Sequence, residues 1–140
     1  MNESEIRPLV DTRSEAIRVK DLDRLMSYYS ADVVYFDVVP PLQYAGSAAL
    51  RDRFRHWLDA YESGIGQDVR DLKVVDGGDV AVVFMLIRTG GTLRTGAEFE
   101  SWVRATSCFR RSSQTWLITH EHVSVPIDPG TGRVVTGLAP

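Results

Sequence analysis

The stretch from Phe99 to Val125, FESWVRATSCFRRSSQTWLITHEHVSV, restricts the possible folds of this chain more than any other. Two runs of alternating residues flank a polar turn at Arg110 to Thr115. A period of two over that length is the pattern of a long β-hairpin with one face against an apolar layer. The second arm sets His120, Glu121 and His122 among Trp, Leu, Ile and Val. Ionisable residues in such a strand belong at an interface, in a cavity or in a site.

The 140 residues suit one domain with a real core, running 1–140 with residues 127–140 as a C-terminal surface tail. A net charge of -3 gives no electrostatic reason to expect nucleic acid or an anionic membrane as partner. The start, MNESEIRPLV, lacks the basic and apolar segments of a signal peptide, and no apolar run is long enough to span a bilayer, so the expected compartment is the cytoplasm. Cys108 is the single cysteine, which excludes an internal disulfide and a cysteine metal cluster.

Before the hairpin the pattern is helical. Ile6, Leu9, Val10, Ala16 and Ile17 recur at helix spacing, with Asn2 or Ser4 as cap and Pro8 suited only to the first turn. Arg13 falls on that apolar stripe. Either its stem packs while its head reaches water, or it is a cation aimed at a buried acid or an anionic ligand. A second helix presents Leu22, Leu25, Met26 and Tyr29. Val33 to Val39 reads as a short strand holding Asp37 and stopped by Pro40 and Pro41. A third helix, with Ser47 as N-cap, buries Leu50, Phe54, Trp57, Leu58 and Tyr61 and wets Arg51, Asp52, Arg55, His56 and Asp59.

Strands follow. Val69 to Val75 leads through the turn Asp76-Gly77-Gly78-Asp79 to Val80 to Ile87, a continuous apolar run expected to be covered on both faces. Gly90 and Gly91 are expected to turn the chain into the hairpin. The order predicts an α+β fold: a bent antiparallel sheet with three N-terminal helices forming a cone-shaped pocket.

That order, with DLDRLMSYYSADVVYFD, YAGSAALRDRF and WLITHEHVSVP, resembles the SnoaL-like branch of the nuclear transport factor 2-like superfamily, which includes ketosteroid isomerase and polyketide cyclases. The resemblance runs from the first helix to Pro126. It implies the cone fold, and it spans enzymes and non-catalytic association domains, so it does not choose a reaction. Ala31 to Asp37 matches the isomerase's A-D-x-x-x-x-D run, which implies Asp37 as base. The isomerase's helix-one tyrosine falls at Arg13 and its hairpin acid at about Ala105. Both departures count against the steroid reaction itself, and a charged Arg13 would favour an anionic ligand.

Alternation allows two hairpin orientations. The position of Ala105 under the resemblance favours Ser107, Thr119, Glu121 and Val123 inside. Trp102, Arg104, His120 and His122 would then lie outside, on the face through which relatives commonly dimerise. A one-residue shift reverses every assignment. Glu121 is thus a pocket acid paired with Arg13, or an exposed residue.

The remaining motifs are weaker. Asp37 reads equally as a partly desolvated general base and as an acceptor for backbone N–H groups of the Pro40–Pro41 loop. His120 and His122 lack a third ligand, so an interface role is preferred to a metal. Ser107, Ser112 and Cys108 lack the setting of a nucleophile, and no phosphate loop is present. Tyr35, Trp57 and Phe84 are core aromatics of which one or two should line the cavity. The expected protein is a homodimer binding a small apolar or carbonyl-containing molecule without a cofactor. Its expected chemistry is isomerisation, cyclisation or dehydration with Asp37 as base and Arg13 and Glu121 as polar anchors. The alternative is a non-catalytic ligand-binding or association domain of the same fold.

Overall fold

Apolar residues four, seven and eleven positions apart make the first helix amphipathic, and it buries Ile6, Val10, Arg13 and Ile17 in a computed structural model that describes residues 2–140. This helix, α1 (Asn2–Arg18), is followed by the short α2 (Leu22–Met26), whose N-cap Asp21 accepts a hydrogen bond from the Arg24 N–H. Pro8 lies inside α1 instead of in its first turn. Asn2 does not cap the helix: its amide bonds Asp76 and the Gly78 carbonyl, tying α1 to a strand turn.

Strand β1 (Tyr29–Phe36) starts four residues before the sequence pattern places it and ends before Asp37. The short β2 (Tyr44–Ala45) pairs back on it. Then comes α3 (Ser47–Asp59), for which Gly46 takes the N-cap position expected of Ser47. Gly46 has a φ of 89° and its N–H donates to the Val33 carbonyl, a conformation that favours glycine over serine.

Strands β3 (Gly66–Asp76), β4 (Val80–Thr92), β5 (Glu98–Ser112) and β6 (Thr115–Ser124) form a meander. The β5–β6 turn is Ser113-Gln114, both at positive φ, as a tight two-residue hairpin turn requires. The sheet order is β2-β1-β6-β5-β4-β3. All pairings are antiparallel except β1 with β6, which is parallel.

Two strand expectations need correction. Gly90 and Gly91 lie inside β4, and the chain turns later, through Thr95 and Gly96. Gly90 is required by close approach: a Cβ there would meet the Phe99 carbonyl oxygen at 2.0 Å. The run Val80 to Ile87 is covered on one face only. Ala81, Val83, Met85 and Ile87 are buried, whereas Val80 and Phe84 are exposed. The helices therefore cover the inner face of the sheet and leave the outer face open. Beyond β6, Ile127 bridges Val134 and the Val135 N–H donates to the Pro126 carbonyl, so the tail folds back on itself.

Candidate functional site

Between the helices and the inner face of the sheet lies a cavity of about 430 Å3. That volume suits a small organic molecule. Its walls are mainly apolar, with Ile17 from α1, Phe54 and Trp57 from α3, Ile87 from β4, and Val103 and Ala105 from β5. Val134 and Thr136 of the folded-back tail complete one side. Trp57 lines the space, and Phe84 is on the outer face.

Two ion pairs are built against this cavity. Arg13 projects from the buried stripe of α1, and its Nη2 donates to Glu121 Oε1 at 2.7 Å. Glu121 is fully buried on β6. Tyr29 accepts from Arg13 Nε at 2.8 Å and donates to Glu121 Oε1 at 2.6 Å, while Ser107 donates to Glu121 Oε2 at 2.5 Å. A buried carboxylate is tolerated when its lone pairs are filled in this way. Burial works against the charged Arg13, yet Glu121, then Tyr29 and Tyr35, outweigh it and raise its pKa. The cation is permanent.

The second pair is Asp37 with Arg53. Asp37 follows the last residue of β1. Its Oδ1 accepts the Val38 N–H at 2.6 Å and its Oδ2 accepts from Arg53 Nε at 2.7 Å. The Asp37 side chain is 8 % exposed and both residues line the cavity. The carboxylate is therefore held in a fixed orientation by one backbone and one guanidinium donor.

Of the residues singled out in the sequence, Arg13, Tyr35, Asp37, Trp57 and Val123 line the cavity. Ser107 and Glu121 lie behind it, in the Arg13 network. Thr119 does not line it. A bulge between the Cys108–His120 and Phe109–Ile118 pairs shifts β6 by one residue, so Ile118 and Trp116 point inward and Thr119 sits in the irregularity. Phe84 points to the outer face, opposite Thr106 and 42 % exposed, and is no part of the cavity.

Trp102, Arg104, His120 and His122 also lie on the outer face. Arg70 stacks over Trp102, His120 Nδ1 bonds the Val34 carbonyl, and both histidines meet the Phe36 ring edge to face. Among the described residues no group of three or more His, Cys, Asp and Glu is placed to hold a metal ion.

Arg53 was missed from sequence. The signal was present: Leu50, Arg53, Phe54 and Trp57 share one helix face, so Arg53 stands on an apolar stripe as Arg13 does.

Comparison with known proteins shows the family and the fold. The model of the SnoaL-like domain family matches residues 6–128. The chain belongs to that family. A nuclear transport factor 2-like protein of unknown function from Pseudomonas putida KT2440 is 30% identical, with a TM-score of 0.90 over 99% of this chain and 96% of that one. A proposed dehydratase of the same fold family from Streptomyces avermitilis is 21% identical, with a TM-score of 0.76 over 91% and 99%. A proposed calcium/calmodulin-dependent protein kinase II association domain from Xanthomonas campestris is also 21% identical, with a TM-score of 0.76 over 86% and 84%. No curated protein matches the chain. The SnoaL-like chain thus has the cone fold expected from its sequence, and no helix among its described residues is long and apolar enough to cross a membrane.

Proposed function

We propose that this SnoaL-like protein binds a small, largely apolar carbonyl compound in the cone and moves a proton on it, with Asp37 as the base. The reading covers isomerisation, cyclisation and dehydration, all of which begin by removing a proton next to a carbonyl. One observation carries it: a carboxylate oriented by Arg53 and the Val38 N–H stands at the wall of an otherwise apolar cavity. Arg13 is not competing for Asp37, since Glu121 already neutralises it. An oriented carboxylate facing an apolar ligand is the arrangement general-base catalysis needs.

The test is exchange of the α-hydrogens of β-tetralone in heavy water, followed by proton NMR. The expected outcome is catalysed exchange that falls about a hundredfold or more in Asp37→Asn, the scale for a removed acid–base group. The amide keeps the shape but cannot take the proton. Exchange at the same rate in both proteins would remove Asp37 from the mechanism.

The second reading, a non-catalytic association domain, draws on the uncovered outer face, where Val80 and Phe84 are exposed and Trp102 lies farther along the same face, opposite Arg88. A two-fold homodimer through this face fits either reading.

A further inference from the structure

The cavity holds a polar atom that the two ion pairs leave unused. Tyr35 on β1 is 5 % exposed and lines the cavity, yet its hydroxyl has no hydrogen-bond partner among the described residues. The only fully enclosed side-chain oxygen or nitrogen without a partner there is Ser14 Oγ. The Tyr35 oxygen is therefore not sealed into protein. It opens onto the cavity. A hydroxyl that faces a mainly apolar cavity with no protein partner is free to take one from a ligand.

Charge decides what that partner is. The Arg13 cation is matched by Glu121 at 2.7 Å, and the Arg53 cation by Asp37 at 2.7 Å. Each guanidinium in the wall already has its anion. An anionic ligand would find no unmatched cation here and would approach the Asp37 carboxylate. Of the two targets the sequence leaves open for Arg13, a buried acid or an anionic ligand, the side chain takes the buried acid Glu121. Burial, reinforced by Glu121 and Asp37, also pushes the Tyr35 phenol well above its ordinary value, so it stays protonated and able to donate.

We propose that the Tyr35 hydroxyl docks the single polar oxygen of an uncharged ligand, so that the cavity takes neutral carbonyl compounds and discriminates against carboxylates of the same shape. This deepens the reading of the cone as a small-molecule site and rests on it. Tyr35 and Asp37 are two residues apart and face the same side, so the docked oxygen and the base act on one ligand.

The experiment is calorimetric titration of the full chain with three molecules of one skeleton: tetralin, β-tetralone and the tetralin β-carboxylate. In the wild type, β-tetralone should bind roughly fivefold or more tighter than tetralin, the scale of one neutral hydrogen bond. The carboxylate should bind weakest. Tyr35→Phe should erase the gap between ketone and hydrocarbon while keeping the affinity for tetralin. Its thermal midpoint should not fall, because the hydroxyl has no protein partner to lose.

A ketone preference that survives Tyr35→Phe overturns the proposal. So does a carboxylate that binds tightest, or a ketone that binds no better than tetralin to the wild type. The wild-type series needs no variant to fold. Asp37→Asn should keep the ketone preference, which separates this proposal from the catalytic one. Loss of exchange dependence on Asp37 with an intact Tyr35 effect sinks only the chemistry, and the reverse result sinks only the docking.

Discussion

Arg13 and Arg53 stand on the apolar stripes of two different helices, and each ends on a carboxylate beside the same cavity. A cation on such a stripe has to find water or an anion, and here both find anions. The position of Arg13 was legible, and so was Glu121 as its partner in one of the two hairpin orientations. Which orientation holds was not, because that depends on the register and twist of β6 relative to α1. The same network sets a pH limit. Burial is the main cause that holds the Tyr29 and Tyr35 hydroxyls protonated well above the ordinary value of 10.0, with Glu121 adding to it. In the unfolded chain they would ionise near that value. Their contribution to stability is thus full below about pH 10 and is lost as pH rises beyond it, because the unfolded state releases protons that the native state keeps. A spectrophotometric titration should show Tyr29 and Tyr35 ionising last, together with loss of the native circular dichroism. Ionisation of all five tyrosines near pH 10 in the still folded chain would contradict this.

At the scale of elements, strand β6 shows how far alternation carries. Trp116 and Ile118 face inward, and so do Glu121 and Val123, although the first pair is even-numbered and the second odd. Only a bulge allows both, and it falls at Thr119. The parity change was visible in WLITHEHV, yet reading strict alternation back from Glu121 placed Thr119 inside. Phe84 was misplaced for a different reason. A continuous apolar run hides which face is covered, and burial of alternate residues in β4 settles it. The outer residues of that run then need explanation. Phe84, Val80 and the half-buried Trp102 give the open face of the sheet an apolar character that suits contact with a second copy. The wild type should sediment as a dimer at micromolar concentration, and Phe84→Glu should sediment as a folded monomer, since an unpaired charge buried in an apolar contact is costly. A wild-type monomer at that concentration would remove the dimer through this face.

For the whole molecule, the cone, its helix order and its hairpin were readable because periodicity and turn residues report directly on them. The cavity's contents were less so. Asp37 was named, but its partner Arg53, the unused Tyr35 hydroxyl and the closing of one wall by Val134 and Thr136 all depend on distant segments meeting. We infer one connected arrangement: the cavity is the working site, with Tyr35 and Asp37 addressing the same ligand. A crystal structure of the chain with β-tetralone tests that claim most directly. The ketone should lie inside the cone, its oxygen within hydrogen-bond distance of Tyr35 Oη and an α-carbon about 3 to 3.5 Å from an Asp37 oxygen, the approach a proton transfer needs. A ketone seated only on the outer face of the sheet, or one in the cone with its oxygen turned away from Tyr35 and its α-carbon beyond reach of Asp37, would contradict it.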